Sequence, residues 1–167
     1  MTDNRQEDQF LDTLEKNIGI ILKIAGAYAK TIHDKEDLIN DITLELWKSS
    51  GRFRGESKIS TWIYRVALNT SMNYKRKKEK DKLFFPDDLK QFESQNWLID
   101  QQDSTHSDVL YQCIDELNEL NKAIILLYLD GNSHEEISDI TGISKTNVGT
   151  RISRIKEQIK NLAITKT

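Results

Sequence analysis

Apolar positions recur at helical spacing along most of this chain, and few segments show the period-two alternation of strands. Phe10, Leu14, Ile18, Ile21, Leu22, Ala25 and Ala29 predict a helix over about Gln9 to Lys30. Leu38, Ile42 and Leu46 predict a second, from near Asp34 to Trp47, before Ser49, Ser50 and Gly51 break the pattern. A third starts around Ser57 or Lys58 and runs into KRKKEKDK. On it Ile59, Trp62, Ile63, Val66 and Thr70 share one face, expected to be core. Arg65, Asn69, Met72 and Arg76 lie about a quarter turn away. The expected class is all-α.

Periodicity weakens from Lys80 to about Ser107, where Pro86 and polar clusters predict a linker with a short helix near Phe92 to Ile99. Phe84, Phe85, Phe92, Trp97 and Leu98 are more apolar bulk than a fully solvated linker carries, so part of it is expected to pack. The division expected is residues 1–80, a linker over 81–107, and a second domain over 108–167.

In the second half, Val109, Leu110, Cys113, Ile114, Leu117 and Leu120 form one stripe; Ala123, Ile124, Leu127 and Tyr128 form another. Asp130-Gly131-Asn132 is a stop. Ser133 and Glu136 have capping-box spacing, Gly142 stands where a positive φ is expected, and Ser144 is a good cap for the next helix. There Val148, Ile152, Ile155, Ile159 and Leu162 form the buried stripe. Thr146, Asn147, Thr150, Ser153 and Arg154 lie roughly opposite, with Arg151 at the flank. Hydroxyl, amide and guanidinium groups on one face suit base edges and phosphates. The unit reads as a DNA-binding helix-turn-helix, with a solvated αα-hairpin as the bland alternative.

Charge changes the picture more than composition does. The 167 residues carry a formal net charge of −3, yet Lys75 to Lys82 holds six basic residues against two acidic ones. From Ser144 onward, Lys145, Arg151, Arg154, Lys156, Lys160 and Lys166 face Glu157 alone. Two basic patches separated by the acidic stretch from Asp87 to Glu119 suggest two contacts with a polyanion. A single cysteine, Cys113, precludes an internal disulfide, and a reducing cytoplasm is the default expectation. His33, His106 and His134 are scattered, so no metal site or cofactor is expected. The longest apolar run, Ala123 to Leu129, is far too short for a bilayer, and the polar N-terminus does not resemble a signal peptide. No carboxylate pair or nucleophile–base set points to an enzyme.

With these residues in view, EDLINDITLELWKSSGRF followed by FRGESKISTWIYRVALNTSMNYKRKK resembles conserved region 2 of the extracytoplasmic-function (ECF) sigma factors of bacterial RNA polymerase. LNELNKAIILLYLDGNSHEEISDITGISKTNVGTRISRIK resembles their region 4. The resemblance implies docking on core polymerase through Asp37, Leu38, Asn40, Asp41, Leu44 and Trp47. Asn40 and Asp41 stand where the family has the longer Gln and Glu. It implies minus-ten DNA contacts from Phe53, Arg54, Glu56, Ser57, Arg65 and Asn69, the loop taking a flipped base. Lys75, Arg76, Lys77 and Lys78 would meet the phosphates. It implies minus-thirty-five contacts from Ser144, Thr146, Asn147, Thr150, Arg151 and Arg154, with Gly149 replacing a common family lysine. An anti-sigma factor is a common partner in the family. The rivals are a helix-turn-helix regulator with an N-terminal sensor or dimerisation domain, and a helical interaction protein that does not bind DNA.

Overall fold

The computed structural model describes residues 2–84 and 104–166, with side chains from residue 4 to 80 and 108 to 166. The described residues form seven α-helices and no strand: α1 Thr2–Tyr28, α2 Ile32–Ser50, α3 Ile59–Phe84, α4 Ser104–Asp115, α5 Glu119–Leu129, α6 His134–Thr141 and α7 Lys145–Lys166. The chain divides into two compact units, Met1–Trp97 and Leu98–Thr167. The expected helix near Phe92 to Ile99, and the apolar positions around it, lie outside the described residues.

In the first unit α1, α2 and α3 pack on one another. Ile21, Ile24, Ala25 and Tyr28 of α1 meet Leu38, Ile42 and Leu46 of α2 and Ile63, Tyr64, Ala67 and Leu68 of α3 in a buried core. Helix α2 starts earlier than the pattern suggests, because Thr31 caps it: its hydroxyl accepts the Asp34 N–H at 3.1 Å.

The buried face of α3 is rotated from the expected one. Ile59 is 38% exposed, and Trp62, Val66 and Thr70 are half-buried. The buried arc instead centres on Ile63, Ala67 and Ser71, because α3 contacts α1 and α2 together and small residues let the helix backbones approach. On α1 the stripe is likewise narrower than expected, with Ile18 and Leu22 exposed.

Ser71 has a completely buried hydroxyl with no hydrogen-bond partner. Such a group carries its desolvation cost uncompensated, and alanine is the better helix former. Ser71→Ala is therefore expected to stabilise the protein by about 1 kcal/mol, read as a rise in the denaturation midpoint. A fall in midpoint would mean that the hydroxyl is satisfied in solution.

In the second unit α7 packs against α4, α5 and α6. Cys113, Ile114 and Leu117, Ala123 to Ile125 with Leu127, Ile137 and Ile140, and Val148, Ile152 and Ile155 form the core. Helix α5 is buried nearly all round, Ile125 included, while Leu120 and Tyr128 are only half-buried. Lys122 is buried too, its ammonium 2.8 Å from Asp115 Oδ1. Ile159 and Leu162 are half-buried.

Candidate nucleic-acid interface

The connection over residues 51–58 leaves α2 and turns on Gly55, whose φ of +74° lies in the left-handed region. It sets the Phe53 ring 5.0 Å from Trp62, tilted by 30°. Phe53, Arg54, Glu56 and Ser57 of the loop, with Ser49 and Arg52 before them and Trp62 and Arg65 of α3, line a cavity of about 540 Å³. Trp62 thus belongs to this cavity wall rather than to the centre of the core. Sequence periodicity assigned it inward because it sits on the edge of the apolar face.

Asn69 is exposed but does not line that cavity. It lies in the adjacent groove between α2 and α3, of about 850 Å³, with Asp37, Asp41 and Leu44 on one wall and Asn73, Tyr74 and Lys77 on the other. Asn73, missed by sequence reasoning, follows Asn69 by one helical turn and could have been found by that spacing alone.

The acidic edge of α2 presents Asp37, Asn40 and Asp41 to solvent. Leu44 is 50% exposed, and Trp47, 38% exposed, meets Phe10 of α1 edge-on with ring centroids 5.1 Å apart. Leu38 is different: its side chain is fully buried. It belongs to the core with Ile42 and Leu46, one turn apart, so a direct surface contact through Leu38 is corrected to a supporting one.

The basic run of α3 is not uniform. Lys75 is half-buried, whereas Arg76 and Lys77 are exposed. Lys78 is engaged, its ammonium 3.2 Å from Asp34 Oδ1. The same oxygen accepts the Tyr74 hydroxyl at 2.9 Å. Burial, then this hydrogen bond and the charges of Asp34, Asp37 and Asp41, hold the Tyr74 phenol well above its usual pKa. It therefore stays a donor. Lys78 thus has a carboxylate partner within the fold, while its side chain remains 46% exposed.

In the second unit the helix-turn-helix geometry follows the sequence closely. Ser133 Oγ accepts the Glu136 N–H at 3.1 Å, and Glu136 Oε2 accepts the Ser133 N–H at 2.8 Å. Gly142 closes α6 with φ +77°, and Ser144 Oγ accepts the Asn147 N–H at 3.3 Å. Ser144, Thr146, Asn147, Thr150 and Arg154 are exposed. Arg151 is half-buried and donates through Nη1 to Asn121 Oδ1 at 3.1 Å. Asn121, on the first turn of α5, is a further member of this face that periodicity does not reveal; with Asn147, Thr150, Arg151 and Arg154 it lines a shallow cavity of about 250 Å³. Lys156 is exposed and donates to Tyr128 Oη at 2.8 Å, which orients its ammonium without neutralising it.

Gly149 lies inside α7 with an ordinary helical backbone, and a Cβ there would meet the His134 ring at 3.5 Å, an ordinary contact. Gly149→Ala should raise stability by about 1 kcal/mol, seen as a higher thermal midpoint. An unchanged midpoint would show that the helix is already held by its packing.

Among the described residues no group of His, Cys, Asp and Glu could hold a metal ion. No described helix is long and apolar enough to cross a membrane.

Residues 13–81 match the family model for Sigma-70 region 2, and residues 107–159 match that for Sigma-70, region 4. The chain is 29% identical to the ECF RNA polymerase sigma-E factor of Haemophilus influenzae, over 83% of this chain and 80% of that protein. It is 30% identical to the ECF RNA polymerase sigma-E factor of Escherichia coli, over 77% and 73%. Among solved structures it resembles the sigma factor RpoE in complex with the anti-sigma factor NepR from Bartonella quintana, with TM-score 0.72, 20% identity and 97% of both chains covered. CnrH in complex with the cytosolic domain of CnrY is also similar, with TM-score 0.69, 16% identity, and 96% and 91% coverage. Both sigma-region matches, in this order along one chain, and the likeness to the sigma-E factors over about three-quarters or more of this chain lead to one conclusion: the chain belongs to the ECF sigma factors of RNA polymerase.

Proposed function

We propose that this ECF sigma factor binds bacterial core RNA polymerase through the exposed edge of α2, captures melted minus-ten DNA beside the loop before α3, and reads minus-thirty-five DNA with α7. Asp37, Asn40 and Asp41 set orientation on core polymerase, while Leu44 and Trp47 supply the apolar anchors. Phe53, Arg54, Glu56, Ser57 and Arg65 take the flipped base, and Asn69 reads the neighbouring position from its own groove. Lys75, Arg76 and Lys77 neutralise the flanking phosphates. Ser144, Thr146, Asn147, Thr150 and Arg154 face the major groove of minus-thirty-five DNA, with Arg151 held against Asn121. The assignment keeps residues 1–80 as region 2, 81–107 as linker and 108–167 as region 4.

The observation that carries this reading is the cavity under the Gly55 turn. It is walled by an aromatic pair and by guanidinium and hydroxyl groups, a setting that accepts a planar base by stacking and reads its edge by hydrogen bonds. A duplex cannot present such a base, so binding energy realised only on unpaired DNA draws the promoter open. A sensor-bearing regulator is not favoured, because a sensor needs neither this loop nor a region 2 helix set. An anti-sigma factor is a further proposed partner, since both solved neighbours are in complex with a partner, named for one of them as an anti-sigma factor. The site of action is the cytoplasm, where the polymerase works.

The test is reconstitution. The full chain is added to bacterial core polymerase with a fragment library of the source genome, and transcript starts are mapped. Starts should cluster behind one two-part promoter element that core polymerase alone ignores. Absence of core binding and of any such start would sink the reading.

A further inference from the structure

Asp34 occupies the first turn of α2, and its carboxylate is 20% exposed. Its Oδ1 accepts the Tyr74 hydroxyl at 2.9 Å and lies 3.2 Å from the Lys78 ammonium. The ammonium in turn stands 5.7 Å from the centre of the Tyr74 ring. Asp37, Asp41 and Lys77 line the groove that runs past this cluster. One carboxylate oxygen thus receives a hydroxyl and an ammonium from α3, the set of donors that a phosphate oxygen would receive from the same helix.

We propose that Asp34 is an intramolecular counter-ion that occupies Lys78 in place of a DNA phosphate, and so lowers the affinity of the basic end of α3 for DNA. The inference rests on the reading that Lys75, Arg76 and Lys77 meet phosphates. A cation already paired within the protein does not neutralise a phosphate, so it releases no counterion from the DNA and adds little to the salt dependence of binding. Asp34 is well placed for this role. The Thr31 cap fixes its backbone and Tyr74 fixes its carboxylate, so little side-chain freedom remains to be lost in holding the lysine. The carboxylate side of the pair is shielded from water, while the lysine side chain is 46% exposed, so the ammonium can still be reached by a competing anion. Sequence alone counts Lys78 with its neighbours; the contact with α2 sets it apart.

The experiment measures binding of the full chain to a fluorescent single-stranded DNA of roughly 20 nucleotides between roughly 50 and 200 mM sodium chloride. Asp34→Asn should steepen the dependence of log K on log salt by about 0.7, equivalent to about fivefold tighter binding near 0.1 M salt. Asp37→Asn removes the same charge from the same helix and should change the slope much less. In a Lys78→Gln background, Asp34→Asn should have no added effect. Lys78→Gln alone should leave the slope within about 0.2 of the parent chain, and this variant decides the matter even if Asp34→Asn does not fold. A loss of about 0.7 on Lys78→Gln alone would overturn the inference, as would equal effects of Asp34→Asn with and without Lys78. Replacing Lys75, Arg76 and Lys77 together by glutamine tests the underlying reading separately. If that triple variant keeps the parent slope, the phosphate assignment fails and the masking inference falls with it.

Discussion

A Trp47→Ala variant is expected to bind core RNA polymerase about 30- to 1000-fold more weakly than the parent chain, the cost of about 2 to 4 kcal/mol typical of an aromatic anchor at an interface. Trp47 is 38% exposed at the end of α2, next to the half-exposed Leu44 and beyond the acidic edge formed by Asp37, Asn40 and Asp41. Such an arrangement pairs charge for orientation with apolar area for affinity. The indole is braced by Phe10 of α1 at 5.1 Å, edge to face, which keeps it from sampling many rotamers before binding. Truncation also removes that aromatic contact, so the variant should lose about 0.5 to 1.5 kcal/mol of folding stability. Both quantities can be separated by measuring core binding by fluorescence anisotropy and stability by denaturant melting. Phe10→Ala should weaken core binding to a lesser degree, by releasing the indole without deleting it. Core binding that survives Trp47→Ala intact would remove α2 from the docking surface.

Phe53→Ala is expected to leave core binding unchanged and to reduce stable open complexes by about 5- to 150-fold, the effect of losing about 1 to 3 kcal/mol of base stacking. Phe53 packs directly on Trp62, ring centroids 5.0 Å apart, in the wall of the cavity that takes the unpaired base in this reading. The readout is permanganate reactivity of thymines in the melted region, alongside holoenzyme binding to a pre-melted fork template. If stacking is what Phe53 supplies, the defect persists on the fork, because the base to be stacked is the same. A defect confined to fully duplex promoters would instead assign Phe53 to strand separation and not to capture. Equal loss of core binding would mean that the loop had collapsed. Gly55→Ala is expected to show what collapse looks like, since its φ of +74° strains a residue with a Cβ.

The two halves of the protein were legible to different degrees. In α6 and α7 the signals are local: a hydroxyl three residues before a carboxylate, a glycine at the end of a turn, and an apolar stripe. Each is decided within a few residues of chain, so Ser133, Glu136, Gly142 and Ser144 take the geometry that their order predicts. On α3 the reading slipped, because periodicity locates an apolar face without saying how many neighbours it meets. A helix wedged between two others buries a wider arc, and its centre can fall on Ala67 and Ser71, residues that carry little hydrophobic signal.

The sequence by itself determined the all-helical class, the caps and turns of the second unit, and the family, since these rest on local propensity and on residue identities in order. Tertiary structure alone decided which of the chosen side chains are available for binding. Leu38 is consumed by the core, Lys78 is paired with Asp34, Lys156 is hydrogen-bonded to Tyr128, and Arg151 is held by Asn121. Trp62 is drawn out of the core to back Phe53. The reason is the same in each case. A side chain's reach is set by what packs within a few ångströms of it, and those neighbours lie anywhere from nine residues away to forty or more, beyond any periodicity along the chain.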